Sequence, residues 1–528
     1  MPADLVLRNA NAWTGPGLPR ASAVAIHGDR FVAVGGDREL DGWVGPDTRV
    51  VDLHGRVVLP GLIDAHTHIL EYGRRLSQVD VSPCTTLADA LEAVRAFAAR
   101  AGDRWILGGG WDANVWGIEP TARHLDAATR APCALRSHDC HSVWANSAAL
   151  RAAGVTRDTP DPPGGVIVRD EEGDPTGILR ENAVQLIDRV VPPPGPSENE
   201  LALDRALREA SRFGLTGVHT FEGPEVLSAA QGLRGSGSLR IRVRCHLRRD
   251  SLDDALRLGL RSGLGDPWLR IGSLKLFADG ALGTQTAWML EPYPARAGYR
   301  GVATLGREEC EREIARAARG GIACAVHAIG DAANRMALDA FAATADEWRP
   351  RGLRQRVEHA QCLSAADLPR FSALGVVASM QPIHAVSDYL IAEEHWGDRC
   401  RWAYAWRSLL SRGSVLAFGS DAPVESIDPL LGIHAAVTRQ RRDGSPAGGW
   451  RPSERLNAEE AIVGYTAGPA FAGGEERELG RIAPRYLADL VVLAGDPWSD
   501  PAGWLNARVV ATIVGGNLAH GSFDELAQ

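Results

Sequence analysis

The sequence predicts an α/β fold built on a barrel of eight parallel strands, and three observations indicate it. Eight short apolar runs lie between residues 57 and 423 of the 528-residue chain. Segments with the periodicity of amphipathic helices lie between several of these runs, and strands that alternate with helices form parallel sheets. Potential metal ligands lie at or near the end of most runs, where (β/α)8 or TIM barrels carry their catalytic groups.

The eight predicted barrel strands share a buried, mostly apolar character. In chain order they are VVLPGLIDAHTH, LTGVHTF, RIRVRCHL, SLKLFADG, IACAVHAIG, RVEHAQ, GVVASMQP and SVLAFGSDAP. Among the predicted helices are REECEREIARAARGG and SAADLPRFSALG, the latter with Ser364 as its N-cap. We assign residues 59–79 and 196–477 to the barrel.

Both ends of the chain read as short strands separated by turns. Residues 1–58 contain DLVLRNANAW and SAVAIHGDRFVAVGG, and residues 478–528 contain ADLVVLAGDP and RVVATIVGGNL. Either set alone has little core to bury, so we expect both to form one composite β-sandwich domain.

The first crossover of the barrel is too long for a simple connection. Residues 80–195 contain a helix, a tryptophan-rich stretch and the Pro/Gly-rich loop TPDPPGGVIVRDEEGDPTG. We expect an inserted subdomain that covers the barrel mouth.

Composition excludes several classes of function. A net charge of −9 argues against a general nucleic-acid-binding protein, which needs a basic surface. The N-terminal segment has no secretory pattern, and no apolar run reaches membrane-spanning length. The eight cysteines form no CxxC pair, which excludes a zinc ribbon. We expect a cytoplasmic protein with a small-molecule substrate and no nucleic-acid or membrane partner, and leave homo-oligomer formation open.

Seven of the eight predicted strands end at or near a potential metal ligand. These residues are His66, His68, His219, His246, Lys275, His327, His359 and Asp421, with His384 just beyond the seventh strand. Each buried imidazole needs hydrogen-bond partners, so this many histidines at one rim would be unfavourable in a purely structural hydrophobic core. In the tripeptide His66-Thr67-His68, the two histidine side chains point to the same side of their strand and can bind one metal.

Lysine occurs once in the chain, at position 275, although the chain contains 57 basic residues. Compositional drift towards arginine would replace lysine wherever a positive charge is enough. A single remaining lysine at a strand end therefore raises the question of which chemistry arginine cannot supply there.

Several motifs resemble the amidohydrolase superfamily. PGLIDAHTH is similar to its first-strand signature, and KLFADGALGTQTA, VHAIGD, VEHAQ and GSDAP resemble its later metal-binding strands in order and spacing. PCALRSHDCHSVWANSAAL resembles the amidohydrolase 3 branch, which includes N-substituted formamide deformylases. The resemblance covers essentially the whole chain.

The resemblance implies a role for each matching residue. His66, His68 and Asp421 would hold one divalent metal and His327 and His359 a second, while Lys275, carboxylated on its amine, would bridge both. A carbamate is an anionic oxygen ligand, which a guanidinium cannot become. Zinc suits imidazole and carboxylate ligands, and iron or manganese also fit.

The expected reaction is hydrolysis of an amide or formamide-like C–N bond by water that bound metal activates. Asp421 would act as general acid and base. Candidate substrate-binding residues are His138, His141, Asn146, His384 and Trp111; a structural role for each remains open.

Two alternatives remain. A mononuclear deaminase or cyclic-amide hydrolase on the same scaffold would use His359 in proton transfer and would not need Lys275 as a ligand. A non-catalytic protein with this fold would be expected to have lost metal ligands, yet all six are present.

Overall fold

The computed structural model describes residues 1–102, 104–138, 141–498 and 500–526. It divides into two compact units. The first contains Met1–Tyr72 and Leu203–Gln528, and the second contains Gly73–Ala202. The division into domains at residues 58, 80, 195 and 478 stays a prediction, as does the placement of the insertion over the barrel mouth.

Eight parallel strands of the first unit form the barrel, as predicted. They are Leu62–Thr67, Leu215–Thr220, Arg242–Arg248, Leu269–Phe277, Cys324–Ala328, Arg356–His359, Val377–Met380 and Leu416–Phe418. Each strand pairs with the next in chain order. These strands are buried along almost their whole length, which explains their near-continuous apolar sequences.

Hydrogen bonds beyond the last strand bring the eighth strand back to the first. The Asp421 amide donates to the His66 carbonyl at 2.7 Å, and the His68 amide donates to the Ala422 carbonyl at 2.7 Å. The carboxylate of Asp64 accepts from the backbone amides of His66 and Ser420, each at 3.0 Å. The carboxyl ends of the first and eighth strands are therefore held side by side.

The barrel helices and the neighbouring helices lie between and after the strands. They are Ile69–Arg75, Pro196–Arg212, Pro224–Gly235, Leu252–Arg257, Arg307–Arg319, Asp331–Ala343, Ala345–Trp348, Leu368–Leu374, Pro382–Ser387, Tyr389–Trp396, Trp406–Leu410, Pro429–Thr438, Ala458–Tyr465, Ala467–Gly473, Gly503–Asn506 and Phe523–Leu526. The prediction of Ser364 as an N-cap is wrong, because the helix begins at Leu368 and the Ser364 hydroxyl instead donates to the Asp367 carboxylate.

Strands from both chain ends form two further sheets. One contains Leu5–Arg8, Ala23–His27, Arg30–Gly35 and Arg49–Asp52, and the other contains Asn11–Ala12, Val57–Pro60, Leu490–Ala494, Arg508–Val514 and Asn517–His520. Leu7 and Ile26 of the first sheet share a buried core with Val492 and Ile513 of the second. The run VVLPGLIDAHTH, predicted as one barrel strand, divides at Gly61: Val57–Pro60 pairs with Leu490–Ala494, and Leu62–Thr67 enters the barrel.

The second unit has its own six-stranded sheet and hydrophobic cores. Its strands are Val79–Asp80, Ile106–Trp111, Cys133–Ser137, Ser142–Ala145, Gly165–Arg169 and Pro175–Glu181, and its helices include Leu87–Ala101, Ala113–Trp116, Ala122–Asp126, Ser147–Ala152 and Gln185–Asp188. Within the described residues of the whole chain, no helix is long and apolar enough to cross a bilayer.

Candidate metal centre

The carboxyl ends of the first and eighth barrel strands bring three predicted ligands together. Asp421 Oδ1 lies 3.2 Å from His68 Nε2 and 3.6 Å from His66 Nε2. One ligand atom from each residue lies within 4.8 Å of the others. His66 is fully buried, and about a third of the His68 side chain is exposed.

A second group shares the same carboxylate. His359 and His384 form a second potential ligand set with Asp421, and His384 Nε2 lies 3.9 Å from Asp421 Oδ2. The His359 ring also lies close to two other imidazoles, with ring centroids 4.8 Å from His66 and 4.6 Å from His327. All five predicted histidine and aspartate ligands therefore converge at the strand ends.

A buried ion pair orients His66. Glu358 Oε2 lies 2.6 Å from His66 Nδ1, and the Arg356 guanidinium donates to the same carboxylate. Arg356 also donates to the Ala65 carbonyl and to the Ser379 hydroxyl, both at 2.7 Å. Neither Arg356 nor Glu358 is exposed at all. The carboxylate favours a proton on His66 Nδ1 and leaves the Nε2 lone pair facing Asp421.

Protein acceptors orient two of the other predicted histidine ligands, His327 and His359, in the same way. His327 Nε2 lies 2.9 Å from the Gly280 carbonyl, and His359 Nδ1 lies 2.9 Å from Gln381 Oε1. Each contact favours a proton on that nitrogen and leaves the second ring nitrogen with a lone pair. Imidazole binds metal through such a lone pair.

Burial keeps these imidazoles neutral. Burial and the nearby positive charge of Lys275 lower the pKa of His66 to about 4 and that of His327 to about 3. Burial and the neighbouring imidazoles lower the pKa of His359 well below its usual range. Although burial alone would raise the pKa of Asp421, the surrounding histidines hold it far below the ordinary value. The cluster thus combines neutral nitrogen donors with an ionised carboxylate.

The backbone is strained at two of the predicted ligands. His359 has a φ of 72° and Asp421 a φ of 60°, in the left-handed region that residues with a Cβ seldom adopt. Such conformations cost about 1–3 kcal/mol each and persist where the surrounding structure over-determines them. The strain is consistent with a site that requires these side chains in one orientation.

Lys275 lies on the fourth strand beside this cluster. Its buried amine lies 4.5 Å from the ring centroid of Phe221 and 5.1 Å from that of Phe277. Among the described residues, it makes no hydrogen bond or ion pair. Burial lowers the pKa of Lys275 to about 8, although the charges of Glu358 and Asp421 act in the opposite direction.

The donor set fits a divalent metal. His66 Nε2 carries a lone pair yet faces a carboxylate oxygen, an arrangement that is repulsive unless a cation lies between them. Asp421 Oδ1 is buried and has no well-formed hydrogen bond within the described part of the chain. Imidazole nitrogens and carboxylate oxygens are the ligands of zinc and related metals.

The predicted substrate contacts in the second unit have differing surroundings. His138 and His141 are exposed, and His141 Nδ1 lies 3.1 Å from Glu181. Asn146 caps helix Ser147–Ala152, and its side chain also bonds to backbone groups of residues 131 and 133. Trp111 is buried and donates to the Leu135 carbonyl. These contacts favour structural roles for Asn146 and Trp111.

Two further strand-end histidines lie in the barrel interior. His219 Nδ1 is 3.1 Å from the Arg356 guanidinium, and the Ser273 amide donates to His246 Nδ1 at 2.8 Å. Each has a protein partner, and neither belongs to a potential ligand group among the described residues.

Sequence reasoning missed Arg356 and Glu358. The available signal was a pair of opposite charges two residues apart in a short strand that is predicted to be buried. Such side chains point to the same face, so in a buried strand they must neutralise each other. The contact between Glu358 and His66 joins two different strands, so it could be found only from the tertiary structure.

A comparison with protein-family models matches residues 49–520 to the amidohydrolase family. The chain belongs to the amidohydrolase family. This match covers most of the chain and places it in the branch that the sequence motifs indicated.

Relatives of this amidohydrolase match along nearly their whole length. YtcJ of Bacillus subtilis is 35% identical over 488 residues, 90% of this chain and 91% of the relative. The N-substituted formamide deformylase of Arthrobacter pascens is 30% identical over 547 residues, 98% of each chain. An uncharacterized metal-dependent hydrolase from Pyrococcus furiosus has a TM-score of 0.79 and 29% identity, and the match covers 94% of this chain and 99% of that one. This amidohydrolase is a metal-dependent hydrolase that acts on carbon–nitrogen bonds.

Glu358→Gln is expected to weaken metal binding by the amidohydrolase about 10–100-fold, because His66 loses its charged acceptor. The free energy of unfolding should fall by about 3–5 kcal/mol, since the Arg356 guanidinium remains buried without a counter-ion. Competition with a chromophoric chelator and denaturant unfolding measure the two effects.

Asp489→Asn is the matched control for Glu358→Gln. Asp489 forms another buried pair, with Arg242, at 2.7 and 2.8 Å. This control should destabilise the fold and leave metal affinity unchanged. Equal metal affinity in both variants would contradict a role for Glu358 in orienting His66.

Proposed function

We propose that this amidohydrolase hydrolyses the C–N bond of an amide or formamide with two divalent metals, most simply zinc. The observation that carries the proposal is the arrangement of His66, His68 and His359 around the ionised Asp421, with the His327 ring next to that of His359. His66, His68 and Asp421 would hold one metal, and His327 and His359 the other. Bound metal supplies the Lewis acidity that acidifies water and polarises a carbonyl.

Carboxylated Lys275 would complete the site as a ligand to both metals. Its neutral amine attacks the carbon of carbon dioxide and loses a proton, which yields a carbamate anion. Three observations support this: the side chain is buried, its amine has no polar partner among the described residues, and its pKa is lowered to about 8. A pKa near 8 leaves more neutral amine at neutral pH than the ordinary value of 10.5 would.

Asp421 would move the proton. Its carboxylate is ionised and can accept a proton from the attacking water at Oδ1 or Oδ2, then return it to the leaving nitrogen. The contacts that join its backbone to the first strand hold the side chain in place beside His66 and His68.

Formamides are the first substrates to test, because the Arthrobacter pascens relative is named an N-substituted formamide deformylase. A panel of N-substituted formamides, other N-acyl amines, lactams and amino-heterocycles would identify the substrate class. Release of formate or another carboxylate supports amide hydrolysis. Ammonia release from an amino-heterocycle, with one metal per chain, supports the mononuclear deaminase instead.

Exhaustive chelation is expected to abolish hydrolysis, and added zinc, iron or manganese should restore it. The reason is that the neutral imidazoles and the ionised Asp421 form a set of metal ligands, whereas catalysis by side-chain acids and bases alone would survive chelation. Elemental analysis should find two equivalents before chelation. Full activity in protein shown to contain no metal would contradict the proposed function.

A further inference from the structure

His384 can be assigned to one of two roles. It lies in helix Pro382–Ser387 just after the seventh strand, is buried, and shares a potential ligand group with His359 and Asp421. Its ring is nearly parallel to that of His359, with an interplanar angle of 7° and centroids 6.4 Å apart. It could bind metal or donate a hydrogen bond into the site, and the position of its proton distinguishes the two.

The three well-oriented ligand candidates share one hydrogen-bonding pattern. His66, His327 and His359 each have one ring nitrogen against a carboxylate, carbonyl or amide oxygen at 2.6–2.9 Å. An oxygen acceptor draws the proton to that nitrogen, and the other nitrogen keeps a lone pair for metal.

His384 shows the reverse pattern. In the side-chain orientation that the structure gives Gln361, its Nε2 lies 3.4 Å from His384 Nδ1 and donates to it, which favours a lone pair on Nδ1. The proton then belongs on Nε2, which faces the carboxylate oxygen of Asp421 at 3.9 Å. Nε2 is buried and has no hydrogen-bond partner within the described residues. A ring nitrogen that carries a proton cannot bind metal but can donate.

We propose that His384 does not bind metal and instead donates a hydrogen bond from Nε2 to the carbonyl oxygen of the substrate. As the water oxygen bonds to the carbonyl carbon, the C=O π electrons move onto the carbonyl oxygen. The His384 N–H stabilises the negative charge that develops there. The Nε2 proton stays on His384 throughout this step. The inference rests on the proposed amide hydrolysis and assigns the group that stabilises the developing negative charge.

His384→Phe removes the donor and keeps a flat ring of similar size. We expect this variant to bind as much metal as the wild type and its kcat to fall about 10²–10³-fold, the usual cost of losing one such donor. His384→Gln, which can still present an N–H, should recover part of the lost kcat. Elemental analysis and steady-state kinetics on the best substrate of the panel give both readouts.

His434→Phe is the matched control, because His434 is about as buried as His384, lies in helix Pro429–Thr438 and belongs to no potential ligand group among the described residues. It should leave kcat and metal content unchanged. Loss of one metal equivalent in His384→Phe would make His384 a ligand and overturn the proposal. An unchanged kcat in that variant would overturn it as well.

A binding measurement separates this proposal from the proposed function. Methylphosphonate resembles the tetrahedral oxyanion and needs no turnover, so calorimetry on metal-loaded protein can measure its affinity in each variant. We expect at least about tenfold weaker binding to His384→Phe than to wild type. If the wild type hydrolyses no amide but this difference is found, the proposed function fails and the role of His384 as an oxyanion donor stands. Equal affinity in both proteins contradicts that role.

Discussion

Lys275→Arg is expected to abolish binding of the second metal and to lower kcat/KM by at least about a thousandfold, or about 4 kcal/mol of transition-state stabilisation. Arginine keeps the positive charge but cannot form a carbamate, so no anion would lie between the metals. The guanidinium would also be a permanent cation at the position from which the Lys275 charge lowers the pKa values of His66 and His327. Elemental analysis and kinetics measure the two losses.

Two further measurements test whether the carbamate, and not the amine, matters at position 275. Added bicarbonate should not restore Lys275→Arg, whereas a short carboxylic acid should partly restore Lys275→Ala by occupying the vacated space. Lys275→Met, which keeps an unbranched apolar side chain one atom shorter and removes the amine, controls for packing and should remain folded but inactive. Lys275→Arg that retains two metals and normal turnover would exclude a bridging carbamate.

Asp421→Asn is expected to retain the fold and lower kcat at least about a hundredfold, the scale of lost general acid–base catalysis. The amide is close in size to the carboxylate, and the backbone hydrogen bonds of residue 421 to the first strand do not involve the side chain. A neutral amide, however, cannot accept a proton from water. Turnover should be expressed per bound metal, because Asp421 is also a proposed ligand.

Asp367→Asn controls for the loss of a buried carboxylate. Asp367 pairs with Arg335 and Arg370, so this substitution should affect stability and leave turnover per metal unchanged. Near-normal turnover in Asp421→Asn would move the proton-transfer role elsewhere, and His359 would then be the first residue to test.

The position of the proposed ligands along the chain was readable because barrel strands present their carboxyl ends to one rim. At His66 and at Asp421, an apolar run that predicts a strand is followed closely by the polar residue, so the strand and the ligand can both be predicted from neighbouring residues. Local sequence also predicted that strands from both ends would build further sheets. It did not reveal that Gly61 separates Val57–Pro60 from the first barrel strand, since the apolar run continues across Gly61 to Leu62 and Ile63.

The sequence by itself determined the barrel, the family and the residue types at the strand ends, because these depend on patterns within a few consecutive residues. The tertiary structure decided how the side chains are oriented. Glu358 reaches His66 across 292 residues of sequence, and Gln361 and Asp421 approach opposite nitrogens of His384. No local pattern encodes which ring nitrogen meets an acceptor. That choice depends on neighbouring strands, and it separates a metal ligand from a hydrogen-bond donor.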